Sequence, residues 1–319
     1  MEQAPVGKFL LSRLLSLVPI LFGTSLVAFF LIRLIPGDPV IALLGLEAND
    51  DAIAALRSSL ALDRSLPVQY LAWLGNVLTG DFGRSIQGGR QVFPLILGAL
   101  GPTALLAVAA LVISLLIAIP AGIVAATRRD TVADYGASFA ALCGLSMPSF
   151  WLGVLLILAF SIYVPILPAS GYVSPLVDPL RFLSFLVLPA LTLGTALSAA
   201  TMRMTRATML EVLRADFIRT ARAKGVPWRR VVWRHAFRNA QIPIVTLIGI
   251  QMGQLLGGVV ITETVFSWPG IGKLTVDAIF ARDYPVVQGA VLVTAVLFVF
   301  INLLTDVVYT LIDPRVGLQ

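Results

Sequence analysis

The sequence is short of most of the residues that reactive chemistry is made from. Its 319 residues include one cysteine, Cys143, and one histidine, His235. A single thiol closes no internal disulfide and builds no metal cage, and Cys143 lies in an apolar run where packing is its expected role. His235 stands in a strongly basic stretch with no nucleophile beside it, so histidine metal sites and Ser–His or Cys–His pairs find almost nothing to be built from. The phosphate-cradling pattern G-x-x-x-x-G-K-[ST] is missing as well. Its nearest approach, Ser267-Trp268-Pro269-Gly270-Ile271-Gly272-Lys273-Leu274, lacks both the first glycine and the final hydroxyl. The chain is therefore not expected to hydrolyse ATP itself, nor to hold a metal or a catalytic constellation.

Charge is scarce too. Only 13% of residues are charged and 58% are hydrophobic, with a mean hydropathy of +0.93. Soluble domains carry about 25% charged residues, so this balance marks an all-α polytopic membrane protein in contact with the lipid bilayer. The net charge of +6 would suggest nucleic acid in a soluble chain. Here the cations cluster in loops beside apolar runs, which is the pattern of a membrane topology signal, and no nucleic-acid partner is expected.

Six runs are long and apolar enough for transmembrane helices, at 10–32, 103–126, 135–163, 182–202, 242–261 and 286–312. Their uninterrupted character excludes the alternation of a membrane barrel. Lys8 and Arg13 precede the first run, which continues without a small-residue cleavage site and reads as a retained span. Placing both termini, the 127–134 turn and the 203–241 loop on one side collects most of the cations there, so that side is expected to be cytoplasmic. This divides the chain into a tail and first span (1–35), an extracytoplasmic helical segment (36–102), a five-span core (103–312) containing the cytoplasmic loop 203–241, and a cytoplasmic tail (313–319). In the outer segment, Asn49-Asp50-Asp51 suits a helix cap over 52–60, and Pro67 suits the first turn of a helix over 68–78. A cap over the outer mouth and a docking surface for an external partner are both compatible with it.

Within the spans, Pro120 and Pro148 are expected to kink their helices. Gly249, Gly253, Gly257 and Gly258 suit either close helix packing or a passage. Gln251 and Gln254 need partners in hydrocarbon, which interhelical hydrogen bonds or a polar conduit would supply. Glu263 lies at the outer end of the fifth span and Asp306 near the inner end of the sixth, with structural pairing and a part in coupling both open to them.

The most informative stretch is 211–243. It carries Arg214, Arg219, Arg222, Lys224, Arg229, Arg230, Arg234 and Arg238 against only Glu211 and Asp216. At about 100° per residue, Leu210, Leu213, Phe217 and Ala221 share one helical face. Lys224-Gly225 should stop that helix, and Pro227 should start a second with Trp228, Val231, Val232 and His235 on one face. A loop lying on anionic headgroups is the simple alternative. The aromatic and aliphatic faces favour a knob that fits a protein groove.

Arg219-Thr220-Ala221-Arg222-Ala223-Lys224-Gly225, followed by Arg234-His235-Ala236-Phe237-Arg238-Asn239-Ala240 and Pro243, resembles the cytoplasmic coupling loop of ABC importer permeases, in the form of the dipeptide/oligopeptide/nickel family. The general Glu-Ala-Ala signature is replaced by Arg219-Thr220-Ala221 and the usual terminal Leu-Pro is missing, departures that the peptide branch shares. Leu34-Ile35-Pro36-Gly37-Asp38-Pro39, Asp81-Phe82-Gly83-Arg84-Ser85, Ser149-Phe150-Trp151-Leu152-Gly153, Leu167-Pro168-Ala169-Ser170-Gly171 and Leu188-Pro189-Ala190-Leu191-Thr192 are similar to that family in order. So are Glu263-Thr264-Val265-Phe266, Pro269-Gly270-Ile271-Gly272, Arg282-Asp283-Tyr284-Pro285 and Asp313-Pro314-Arg315. The long segment after the first span resembles the B-type subunit.

The resemblance implies a type I ABC importer transmembrane domain in a bacterial-type inner (plasma) membrane. It implies a second, C-type permease, two cytoplasmic ATPase subunits that bind ATP and Mg, and an extracytoplasmic substrate-binding protein. Arg214, Asp216, Arg219, Thr220, Ala221, Arg222, Lys224, Gly225, Arg229, Arg234 and His235 would then form the ATPase-coupling loop. Gln251, Gln254, Glu263 and Asp306 would belong to the pathway or to helix interfaces. Peptides, glutathione-like compounds, nickel chelates and some sugars all remain open as cargo. A stand-alone ion-coupled secondary transporter is the alternative. It calls for an ionisable cluster near the midplane and a repeat between halves, and neither is found.

Overall fold

A computed structural model describes residues 6–34, 49 and 64–312, with the side chains of 6–14, 16, 31–34, 254, 256, 257 and 306–312 outside the description. The expected helix over 52–60, the motif beyond Leu34 and the Asp313-Pro314-Arg315 tail lie outside the described residues.

Apolar chain in lipid must satisfy its backbone internally, and the described residues do so as helices. In order these are α1 (Val6–Leu34), α2 (Leu66–Leu78), α3 (Val92–Thr127), α4 (Val132–Ser146) and α5 (Ser149–Ile157). A wide π turn, Leu158–Tyr163, follows α5. Then come α6 (Pro179–Leu213), α7 (Asp216–Ala223) and α8 (Trp228–Arg230), the last running through a second π turn, Val231–Phe237, into α9 (Arg238–Val265). The series closes with α10 (Ile271–Phe280) and α11 (Tyr284–Ile312). No strand occurs among the described residues beyond one isolated antiparallel bridge, Arg84–Gln91.

Among the described residues, helices α3, α6 and α11 are long and apolar enough to cross a membrane alone, and counting each of two bent pairs as one span brings the number to five. The first of the six expected spans falls on α1, a helix of 29 residues. The expected span at 135–163, with its kink at Pro148, falls on a bent pair of helices. The two, α4 and α5, meet at 103°. Pro148 has no N–H and crowds its predecessor out of the helical region, and Met147 is accordingly extended, with φ −87° and ψ 123°.

The described residues fall into two compact units, one built on Pro102–Gly272 with Phe300–Gln319 and the other on Ala4–Gly101 with Lys273–Val299. The core of the first gathers Leu106 and Ala110 of α3, Phe182, Leu186, Ala190 and Leu193 of α6, Leu255 and Val259 of α9, and Trp268. Helix α6 starts where the Asp178 side chain accepts the Arg181 N–H at 3.0 Å, with Pro179 in the first turn. It lies close on α3. A Cβ at Gly194 would come 2.8 Å from the Ala110 carbonyl oxygen, and one at Gly122 2.6 Å from Thr205 Cβ. Small residues let helices approach in this way.

In the second unit the buried Phe29 ring stands edge-on to Tyr70 at 5.3 Å and beside Trp73 at 5.7 Å. The Tyr70 and Ser25 hydroxyls share a 2.7 Å hydrogen bond, which seats α2 on α1. Beyond α2 the chain turns at Gly80, Gly83 and Gly89, all at positive φ, as the glycines there lead one to expect. Two sequence motifs far apart in the chain meet at this turn. The Ser85 hydroxyl donates to the Asp283 carboxylate, and the Ile86 N–H reaches the same group at 3.1 Å.

Candidate functional site

The basic stretch 211–243 folds as a knob whose inner side is apolar. Helix α6 ends at Leu213, where the Arg214 and Ala215 N–H groups bond back to Glu211 and Val212 at 3.1 Å. Ala215 is extended, and α7 begins with Asp216 in its first turn and ends with Arg222 in its last, both placed to suit the helix dipole. Lys224 caps it, and Gly225 follows at φ +77°. With nothing within 4 Å of a Cβ there, glycine is demanded by backbone conformation and not by space. Pro227 then precedes α8. The stop and the restart both fall where the sequence places them.

The buried faces differ from the expected ones. Leu210 and Leu213 belong to α6, not to the helix of Phe217, because the extended Ala215 resets the register. Ile218 becomes the buried residue of α7, while Phe217 stays 45% exposed. On the second arm, the π turn spends five residues where an α turn spends fewer. Ala236 therefore takes the inner position below Val231, and His235 is left half-buried at the side. Trp228 also faces outward, 46% exposed, with the Arg222 guanidinium 5.3 Å over its ring.

Inside the knob, Ile218, Val231, Val232, Ala236 and Ala240 pack against Ile123 and Ala126 of α3 and Met209 of α6. The outer surface presents Arg214, Asp216, Arg219, Thr220, Arg222, Lys224, Gly225, Arg229 and Arg234 as exposed residues, with Ala221 half-buried behind them. This is a cationic surface set with Phe217, Trp228 and Trp233, held by a packed base.

The residues weighed for a pathway separate. Gln251, buried in α9, accepts the Thr201 hydroxyl at 2.9 Å and donates to the Leu197 carbonyl at 3.0 Å, tying α9 to α6. Gly249 lies against Thr305, whereas Gly258 faces open space. The side chains of Gln254 and Asp306 lie outside the described residues. Glu263 is fully buried near the C-terminal end of α9 and accepts the Thr103 hydroxyl at 2.6 Å. Thr103 in turn accepts the Ile271 N–H at 2.9 Å. Gly270 lies so close to Glu263 that no Cβ fits between them, and a Cβ at Gly272 would sit 2.5 Å from the Val260 Cα. Trp268 donates its indole N–H to the Pro102 carbonyl at 2.9 Å. Glu263 and the Pro269-Gly270-Ile271-Gly272 run are thus one structure.

Sequence reading passed over Asp134. It is 1% exposed and takes a two-pronged bond from Arg206, Nε to Oδ1 at 2.6 Å and Nη2 to Oδ2 at 2.7 Å. An acid between two apolar runs, facing an arginine near the end of another span, was the available signal.

Comparison with known proteins decides the family. The model for the inner membrane component of binding-protein-dependent transport systems matches residues 118–318, and the model for the N-terminal part of such components matches residues 6–94. The chain belongs to this family. It is a multi-pass inner-membrane component of an ABC importer, the permease subunit of a binding-protein-dependent system, with the type I importer fold. Full-length relatives agree. The permease is 41% identical to the dipeptide transport system permease protein DppB of Alkalihalophilus pseudofirmus, over 97% of this chain and 98% of that one. It is 40% identical to Escherichia coli DppB, over 97% and 98%. It is 39% identical to the oligopeptide transport system permease protein AppB of Bacillus subtilis, over 98% and 99%. The secondary-transporter reading gives way to this one.

Proposed function

We propose that this permease forms half of a passage for peptides or a related small solute, and that ATP hydrolysed by partner subunits drives it through the α7–α8 knob. The observation that carries the reading is the knob itself: a cationic, aromatic outer surface on a base packed against the ends of α3 and α6. A solvated loop needs no such base. In this reading two cytoplasmic ATPase subunits, which hold ATP and Mg, seat the knob in a groove. A C-type permease completes the passage, and an external binding protein delivers the cargo. The knob and both termini lie in the cytoplasm, and the segment 36–102 lies outside. Names of relatives that specify dipeptide or oligopeptide transport support peptides as the cargo class. The ATPases shift an equilibrium between inward and outward openings by binding one more tightly than the other.

Reversing charge on the knob tests this. Arg219→Glu with Arg222→Glu should abolish co-purification of the ATPase subunits while membrane insertion and yield stay normal. Undiminished co-purification of the ATPases with the doubly reversed permease would contradict the assignment.

A further inference from the structure

We propose that the Asp134–Arg206 ion pair is the joint that makes α4 and the cytoplasmic end of α6 move as one body when the knob is displaced. This rests on the reading of α7 as the driven element and adds how its motion reaches a second helix.

Helix α6 needs no joint to α7. It is continuous for 35 residues and only Arg214 and Ala215 separate it from α7. Helix α4 has no such connection. It follows α3 through a turn in which Asp130 takes a positive φ of 60°. Its seam with α6 is rich in alanine, Ala137 and Ala141 lying with Ala199 beside Met202, and a Cβ at Gly144 would be only 3.4 Å from that of Ala199. Helix packing gains its register from ridges seated in grooves, and an alanine seam has little relief to resist sliding.

The ion pair supplies what the seam lacks. A guanidinium fork on a carboxylate fixes direction as well as distance, and both Asp134 oxygens are taken. The Asp130 N–H at 3.2 Å and the Ser138 hydroxyl at 3.4 Å add to the same carboxylate. Breaking the pair would leave a charge buried without compensation, so it persists while α6 moves. Arg206 also lines a cleft of about 540 Å³ together with Arg129, Glu211 and Arg214. Asp134 and Arg206 are positioning residues: they touch neither cargo nor nucleotide and act by holding one helix to another.

Two measurements on the assembled importer in lipid test this. Spin labels at Gly136→Cys and Ala207→Cys, both exposed positions, in a Cys143→Ser background, report the spacing of α4 and α6. The spacing should be the same in resting and ATP-trapped complexes. A shift approaching one helical turn, ~5 Å, in complexes that trap nucleotide would overturn the joint. The second measurement is solute imported per ATP hydrolysed. Arg206→Lys keeps the charge and loses the fork, and should broaden the label distance and lower that ratio severalfold at unchanged yield. Unchanged label distances and an unchanged ratio in Arg206→Lys would overturn it as well. An importer that ignores its ATPases altogether counts against the knob reading, whereas a responsive one with shifting labels counts against the joint alone.

Discussion

At the scale of single residues, glycines separate what the backbone needs from what packing needs. Gly270 is pressed on the Glu263 carboxylate while Gly258 of α9 meets nothing. Gly270→Ala should lower the stability of the purified protein by about 1–3 kcal/mol, the usual cost of forcing a methyl into a packed site. Gly258→Ala should be neutral or slightly stabilising, since alanine is the better helix former by about 1 kcal/mol. Thermal unfolding of the two variants in detergent compares them directly. Thr103→Val should cost about 1–3 kcal/mol in the same assay, because it removes the donor to Glu263 and the acceptor of the Ile271 N–H together. The sequence already marked Glu263 and the Pro269-Gly270-Ile271-Gly272 run as notable but could not join them. The Thr103 hydroxyl that bridges them lies 160 residues from Glu263 in the chain, and no periodicity encodes such a bridge.

At the scale of elements, the knob was legible in outline and not in orientation. Its charge, its stop at Lys224-Gly225 and its restart at Pro227 are local properties, written in residues that act on their own backbone. Which side faces inward is not local. One extended residue, Ala215, and one π turn, Val231–Phe237, rotate the faces, so Ile218 and Ala236 are buried where Phe217 and His235 were expected. The same limit applies to Pro148. Its presence foretold a deviation, but whether a proline bends or breaks a span depends on what packs behind it, and here the turn is 103°. Gly225 yields an element-scale outcome. Gly225→Asn, a residue that tolerates left-handed backbone, should keep most uptake, while Gly225→Val should lose it, with left-handed strain of about 1–2 kcal/mol. Equal uptake by the two variants would show that the turn does not matter to coupling.

At the scale of the whole molecule, scarcity was the surest guide. A chain with 58% hydrophobic and only 13% charged residues reads as a polytopic membrane protein, and its family is one of inner-membrane transport components. The number of spans was less legible than their existence, since composition locates apolar runs without saying which are straight. The purified permease by itself should hydrolyse no ATP above background in a phosphate-release assay. The most direct test of the central claim is uptake of labelled peptide into proteoliposomes holding this permease with its second permease and ATPases. Uptake should require both internal ATP and external binding protein, and should persist when ionophores collapse every ion gradient. Peptide uptake by the permease alone, driven by a proton or sodium gradient and indifferent to ATP, would contradict the account.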